Sequence, residues 1–379
     1  MERQNVKKRM IQEYWNFKYI ILKEIFLIVV VKLILVNSLK SIKYVKVIIM
    51  SDKKRILTGD RPTGKLHLGH YVGSLKNRVE LQEKYDTFLI VADVQALTTN
   101  FDRPEQLSED LRQVVRDYLA AGIDPEKTII FVQSMVPEIA ELTVYFSMLV
   151  TVNQLRHNPT IKTEAAQYGY SDMTYGFLGY PVSQTADITF CRAHLVPVGE
   201  DQIPHIEQAR KIVRKFNNSY GKIFPEPEAL ISDFPRLMGL DGKSKMSKSL
   251  NNAIYLSDSS DEINKKIMQA KTDPARIHKD DPGHPEVCTV FHYHQAFNKE
   301  EADEIETLCR AGKIGCVECK KNLADKLNQL LDPMRERRKK YINNPELVDQ
   351  ILLKGTEKAR MEAQKTLKKV RKAMKIDYF

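Results

Sequence analysis

The chain has 379 residues, 42% of them apolar, and a formal net charge of +10, enough length and apolar content for two domains with their own cores. Residues 1–49 hold ten Lys/Arg against three Glu and so carry +7 of that charge; the nearly balanced remainder gives no electrostatic case for a nucleic-acid-wrapping protein. The longest apolar stretch, Ile25–Val31 and Leu33–Val36 broken by Lys32, is too short and too charged for a membrane-spanning helix.

Residues 1–50 suit three readings: a membrane-surface anchor, a signal-like segment, or residues upstream of the natural start. No small-residue cleavage site follows the apolar run, and Met50-Ser51-Asp52-Lys53-Lys54 reads as an ordinary polar start leading into a strand. The leader is therefore expected not to belong to the native protein. Arg55–Thr58 has strand character, a loop with Gly59, Pro62 and Gly64 follows, and a helix begins near Leu68 with Val72, Leu75 and Val79 on one face. Strand, Gly-rich loop and helix start present backbone N–H groups and the positive end of a helix dipole to a phosphate. His67 and His70 can both donate to one oxyanion there, and Gly69 lets a ring or a phosphate approach the backbone. Taken alone, the four residues His67–His70 would also suit two solvated histidines on a helix cap.

Thr87–Ala92 is a continuous apolar run, fit for a strand buried on both faces, with Asp93 and Gln95 at its end. A helix over 104–121, opened by Pro104 and closed by Gly122, and a strand over 128–133 continue the alternation. That alternation predicts an α/β fold with a doubly wound parallel sheet, whose ligands bind beyond the carboxyl ends of the strands. The helix over 137–150 is apolar on more than one side and is expected to be buried in the fold or against a second subunit. Tyr180, Gln184 and Asp187 fall at i, i+4 and i+7 and project from one helical face within an apolar stretch, a ligand face or a stripe turned to water. Val196–Gln202 is a short strand entering a charged turn that holds Gly199, Glu200, Asp201 and Gln202.

A second cationic motif, Lys245-Met246-Ser247-Lys248-Ser249, follows a Gly-containing turn and suits a mobile lid. From about Ser257 the strand signals vanish, and helices are predicted over 259–270, 298–311, 317–342 and 346–375, giving an all-helical C-terminal domain. The last of these is rich in Lys and Arg, suited to RNA phosphates or simply to water. Four of the five cysteines cluster here: Cys288, Cys309, Cys316 and Cys319, with twenty, six and two residues between successive members. Two-spaced cysteine pairs in a cytosolic chain are more often metal ligands than disulfides, and all-cysteine ligation suits an iron–sulfur cluster or structural zinc.

His67-Leu68-Gly69-His70 and Lys245–Ser249 together resemble the two signatures of class I aminoacyl-tRNA synthetases, and the run Leu195–Glu207, LVPVGEDQIPHIE, looks most like the tryptophanyl family. The resemblance implies a Rossmann-type catalytic domain over 51–240, a lysine loop and linker over 241–256, and a helical anticodon-binding domain with a C-terminal helix over 257–379. It implies a cytoplasmic homodimer that joins L-tryptophan to tRNA(Trp) through an adenylate, with ATP as substrate and Mg²⁺ sharing the phosphate charge. Carried over, His67, His70, Lys245 and Lys248 would stabilise the transition state. Arg61, Pro62, Thr63, Gly69, His70, Gly199, Glu200, Asp201, Leu237 and Lys245–Ser249 would contact ATP, with adenine beside Leu237. Asp187, Gln202, Gln95, Tyr180 and Gln184 would line the tryptophan pocket. Gln95 stands where many bacterial members have histidine and Gln184 where many have methionine. Some members carry a 4Fe-4S cluster on similarly spaced cysteines, so Cys288, Cys309, Cys316 and Cys319 are expected to hold one, with structural zinc as the alternative. Two other functions remain open: a tyrosyl enzyme, whose pocket Tyr180, Gln184 and Asp187 would also fit, and a non-catalytic synthetase-like RNA-binding regulator.

Overall fold

Five strands, β1 (Arg55–Asp60), β2 (Asp86–Val91), β3 (Thr128–Val132), β4 (Leu195–Val198) and β5 (Glu228–Ile231), form one parallel sheet in the order β3-β2-β1-β4-β5. The protein is seen here in a computed structural model that describes residues 53–102, 104–231, 237–248 and 250–378, but not the Asp201 side chain. The expectations for residues 1–50 and Ser249 lie outside the described residues. β2 shows why an unbroken apolar run makes a central strand: Leu89 and Val91 enter one core and Phe88 and Ile90 the other. β1 and β2 run in register from Arg55 opposite Asp86 to Asp60 opposite Val91. A Cβ on Gly59 would stand 2.0 Å from the Ile90 carbonyl oxygen, so the approach of these strands at the edge of the site requires glycine.

The helices are α1 (Lys76–Lys84), α2 (Asp93–Asn100), α3 (Leu107–Ala121), α4 (Glu138–Ser147), α5 (Val152–Arg156), α6 (Pro159–Tyr168), α7 (Tyr175–Phe190) and α8 (Ile203–Tyr220), followed in the C-terminal half by α9 (Ser260–Gln269), α10 (Thr289–Phe297), α11 (Lys299–Arg310), α12 (Cys316–Asn343) and α13 (Glu346–Ala373). The chain enters α1 through Leu68–His70 and a π-helical turn, Tyr71–Leu75, a distortion that often marks functional sites. Gln95 was expected at the end of a strand and lies instead in the first turn of α2, which begins two residues after β2 ends.

The C-terminal helices pack back onto the sheet. α13 covers β3 at the sheet edge, where the Val132 N–H donates to Thr356 Oγ1 at 3.2 Å, and a Cβ on Gly355 would lie 1.9 Å from the Ile130 carbonyl oxygen. A strand edge that would otherwise offer unpaired groups to another chain is thereby covered. α12 reaches α3, with Arg337 Nε donating to the Ala120 carbonyl at 2.7 Å. Many of the α13 cations predicted to face RNA or water are paired: Lys354 with Glu126, Arg360 with Glu138 and Arg371 with Glu141. Among the described residues no helix is long and apolar enough to cross a membrane.

Candidate active site

The β-sheet order reverses between β1 and β4, and a cavity of about 420 Å³ opens at the carboxyl ends of those strands. It is lined on the nucleotide-like side by Arg61, Gly69 and His70, and on the other by Gln95, Tyr180, Gln184 and Asp187, with Gly199 and Gln202 between. Two groups expected for separate ligands thus share one space.

The two histidines divide their roles. His70 Nδ1 accepts the His67 backbone N–H at 3.2 Å, which leaves Nε2 as the protonated nitrogen, and His70 lines the cavity. His67 is 7% exposed, lies with its ring centroid 3.8 Å from that of His70, and does not line the cavity. Only His70 is therefore placed to donate into the cavity, where the sequence suggested both. Burial draws the His67 pKa down to about 3, with the charges of His70 and Lys248 adding to it. Burial likewise draws His70 down to about 4, opposed by Asp60 and assisted by Lys248 and Arg78. Both rings are neutral at working pH. Below the unfolded value of about 6.5 the unfolded chain takes up protons that the folded one refuses, so this stability is complete above about pH 6.5 and falls toward pH 4 and then 3. A His67→Asn/His70→Asn variant is expected to show a shallower loss of stability between about pH 6.5 and 4 than the parent. Urea unfolding at several pH values is the check.

The lysine loop closes over the same turn. The Lys248 ammonium donates to the carbonyl oxygens of Thr63 at 3.0 Å and Gly64 at 2.8 Å, and Met246 Sδ accepts from the Gly69 N–H at 3.4 Å. Lys248 lies near enough to both imidazoles for its charge to act on them, but it does not line the cavity. Lys245 is exposed and its side chain is not part of the cavity lining. Asn252, not anticipated from sequence, organises the loop: its Oδ1 accepts the Ser247 N–H at 2.8 Å, and its Nδ2 donates to Asp241, Ser244 and the Lys245 carbonyl. Pro62 is buried, Thr63 and Glu200 are exposed, and Leu237 packs on the core beside Met246; none of the four lines the cavity.

At the far end, Asp187 is buried and accepts from Gln133 Nε2 on both oxygens, at 2.8 and 3.0 Å. Burial pushes its carboxyl up to about 7 against the pull of Gln133. Gln133 Oε1 in turn accepts the Gln95 N–H at 3.1 Å, so one amide joins the first turn of α2 and the end of β3 to α7. The Gln184 Oε1 is buried without a hydrogen-bond partner, an acceptor available to a ligand in the cavity that Gln184 lines. At the near end the Asp60 carboxylate receives Arg78 Nη1 at 2.5 Å and the Tyr118 hydroxyl at 2.6 Å. Burial alone would raise its pKa, but Arg78 and Tyr118 outweigh it and hold the carboxyl well below the usual range.

The cysteines do not make the expected metal centre. Cys288, Cys309, Cys316 and Cys319 are free thiols that feel one another's charge, yet among the described residues no three His, Cys, Asp or Glu side chains are placed to hold a metal ion. The physical reason is visible: Arg276 Nη1 lies 3.7 Å from Cys309 Sγ and 3.9 Å from Cys316 Sγ, while Cys319 Sγ faces His294 Nε2 at 3.4 Å. Burial raises the Cys288, Cys309 and Cys319 thiols, the last to about 12, so they favour the protonated state. The arrangement supports neither a 4Fe-4S cluster nor the zinc alternative.

The profile of tRNA synthetases class I (W and Y) matches residues 50–332. The chain belongs to that family. It is 50% identical over 326 residues to tryptophan–tRNA ligase of Thermotoga maritima, covering 85% of this chain and 99% of that one. It is 51% identical over 335 residues to tryptophan–tRNA ligase of Clostridium longisporum, covering 86% and 98%. Among solved structures it superposes with TM-score 0.76 and 32% identity on tryptophanyl-tRNA synthetase from Campylobacter jejuni complexed with ADP and tryptophan, over 85% of this chain and 99% of that chain. Of the two class I signatures, Gly69 and His70 of the first line the cavity, and the second lies against the Thr63–Gly64 turn beside it.

Proposed function

We propose that the protein is a tryptophan–tRNA ligase, activating L-tryptophan with ATP as tryptophanyl-adenylate and passing it to tRNA(Trp), with release of pyrophosphate and AMP. The observation that carries this reading is the shared cavity: His70 and Arg61 at one end, Asp187 and Gln184 at the other, in a chain about half identical, over nearly their full length, to relatives that bear that name. Tryptophan's carboxylate attacks the α-phosphorus in line, a bond to the pyrophosphate oxygen breaks, and catalysis is chiefly positioning and charge stabilisation. Mg²⁺ accompanies ATP and spreads the phosphate charge. His70 Nε2–H and the Lys248 ammonium act on the phosphates, and the Gly69 N–H joins them once Met246 releases it. Asp187 accepts the indole N–H; a substrate without a matching donor leaves that buried acceptor unpaired, the kind of penalty that yields large discrimination. Helices α9–α13 are assigned to anticodon binding.

ATP–pyrophosphate exchange with tryptophan and with tyrosine, followed by charging of tRNA(Trp), tests the reading. Exchange driven by tryptophan alone is expected. Exchange driven by tyrosine would move the assignment to the tyrosyl enzyme, and tRNA binding without exchange would leave a non-catalytic regulator.

The same reading includes a homodimer. α4 buries Ile139, Leu142 and Phe146 but exposes Val144, and Val94, Met148, Val152 and Tyr175 are also exposed beside an apolar cavity of about 220 Å³. A large apolar surface of this kind suits a partner subunit. Light scattering is expected to give twice the chain mass, with Val144→Glu/Met148→Glu shifting it toward the monomer.

A further inference from the structure

The chain leaves α6 through Tyr168-Gly169-Tyr170, and the glycine brings the two rings together. Gly169 caps the helix in the left-handed region at φ 68°, with its N–H donating to the Ala166 carbonyl at 3.2 Å and the Tyr170 N–H to the Ala165 carbonyl at 2.9 Å. Side chains two apart on a helix do not face each other, but this turn folds Tyr170 back beside Tyr168. The rings stack with centroids 5.6 Å apart and planes 19° from parallel, yet they stay 48% and 38% exposed.

The pair is seated on a buried anchor. Phe177, 1% exposed, meets Tyr170 edge-on at 5.0 Å and Tyr168 at 6.3 Å, and its N–H donates to Thr174 Oγ1 at the start of α7. Phe177 in turn meets Tyr180 at 6.0 Å, and Tyr180 lines the active-site cavity. On the other side Tyr168 follows one helical turn after Glu164, which lines the same cavity and pairs with Arg61 at 3.8 Å, both side chains being partly exposed. An aromatic run therefore leads from the cavity wall to solvent. Lone apolar residues are ordinary on a surface, whereas two rings held parallel in water beside a cavity form a platform for another flat group.

We propose that the Tyr168–Tyr170 pair is the platform on which the terminal base of the tRNA acceptor end stacks, holding its ribose at the adenylate for the second step. The inference rests on the ligase reading above and deepens it. In that step a terminal ribose hydroxyl attacks the adenylate's carbonyl carbon, an ester forms as the bond to the AMP oxygen breaks, and the hydroxyl proton is released to water. The carbonyl joins the amino-acid and nucleotide parts of the adenylate, and the pair adjoins both sides of the cavity, Tyr180 through Phe177 and Arg61 through Glu164. Single-stranded ends are held by aromatic side chains because every base has a π-face, whatever its identity. Two tyrosines offer about the area of one base and far less than the roughly 800 Å² a side of a subunit interface.

Binding of tRNA(Trp), intact or lacking its terminal adenosine, to the full chain and to Tyr168→Ala/Tyr170→Ala tests this. The parent is expected to hold the intact RNA roughly 10-fold tighter than the shortened one, within the range for one stacked base, and the alanine variant to hold both alike. Tryptophan-dependent ATP–pyrophosphate exchange should be unchanged in that variant, while charging at subsaturating tRNA slows by about the same factor. Tyr168→Phe/Tyr170→Phe keeps the rings and should keep the parent's discrimination. The proposal is overturned if the parent does not discriminate, if the alanine variant still does, or if the phenylalanine variant does not. Lost exchange in an alanine variant that still unfolds cooperatively in urea overturns it too, by placing the rings in the first step, and so does a shift toward the monomer in light scattering, by giving them to a partner subunit. If the double alanine variant does not fold, Tyr170→Ala carries the same test with the same outcomes. Parent protein without tryptophan-dependent exchange would be a failure of the ligase reading itself.

Discussion

Replacing Lys248 with alanine is expected to slow adenylate formation by roughly 10²- to 10³-fold, the usual cost of deleting one preorganised charge partner of a transition state. Tryptophan affinity should change by less than about threefold, because the ammonium reaches the turn at Thr63 and Gly64 and not the indole end of the cavity. The lysine is already held over that turn, so little reorganisation is needed to bring it to the phosphates. Burial lowers its pKa, but Asp60, Asp110 and Asp117 oppose the shift and favour the charged form. As the pyrophosphate separates, its negative charge grows. A fixed cation then gains more with the transition state than with bound ATP, which is the difference that raises kcat rather than affinity. Single-turnover adenylate formation and equilibrium tryptophan binding separate the two. Equal losses in both would show that Lys248 acts by closing the cavity and not by stabilising the leaving group. Lys248→Arg is expected to recover only part of the rate, since the planar guanidinium cannot reproduce contacts made by a compact ammonium.

How much of this was legible in the sequence follows the range of the interactions. The first signature was readable because its strand, turn and helix start are contiguous and glycine and proline punctuate them. Val132 and Leu89 sit in strands recognisable from unbroken apolar runs, and α9, α11, α12 and α13 fall within a residue or two of their predicted spans. β5 and α10 were not anticipated. β5 has only four residues and begins with an exposed Glu228, so it shows no apolar period, and α10 follows directly on a cysteine expected to bind metal. The site's supporting residues were hidden for another reason. Gln133 is an ordinary polar residue whose meaning comes from Asp187, far away in the chain, and Asn252 draws its partners from a loop that shows no regular period. The cysteines show the converse: spacing and donor type suggested a cluster, while the position of Arg276 among the thiols was not deducible from either.

Arg338→Met is expected to destabilise the protein by about 3–5 kcal/mol, because it strands a buried carboxylate. Asp117 is fully buried, and its Oδ1 lies 3.2 Å from Arg338 Nη1, whose side chain is 7% exposed. The other oxygen, Oδ2, accepts the Leu66 N–H at 2.7 Å, immediately before His67. A residue of the C-terminal half therefore neutralises the acid that pins the entrance to the first signature. Asp117→Asn leaves an acceptor for Leu66 but abandons Arg338 as a lone buried cation, and should also be costly. The double variant has no unpaired charge, so its loss should fall short of the sum of the singles by up to about 3 kcal/mol, readable in a double-mutant cycle by urea unfolding. The pH dependence adds an independent sign. Burial raises the Asp117 pKa against the pull of Arg338, and removing Arg338 raises it further. For an acid whose folded pKa exceeds its unfolded value of about 3.9, the folded state binds the proton more tightly, so stability falls as pH climbs through that window. The deficit of Arg338→Met should accordingly be small near pH 4 and grow toward neutrality. A deficit independent of pH would mean that lost packing of the arginine stem, and not the stranded charge, is what joins the helical half to the histidine turn.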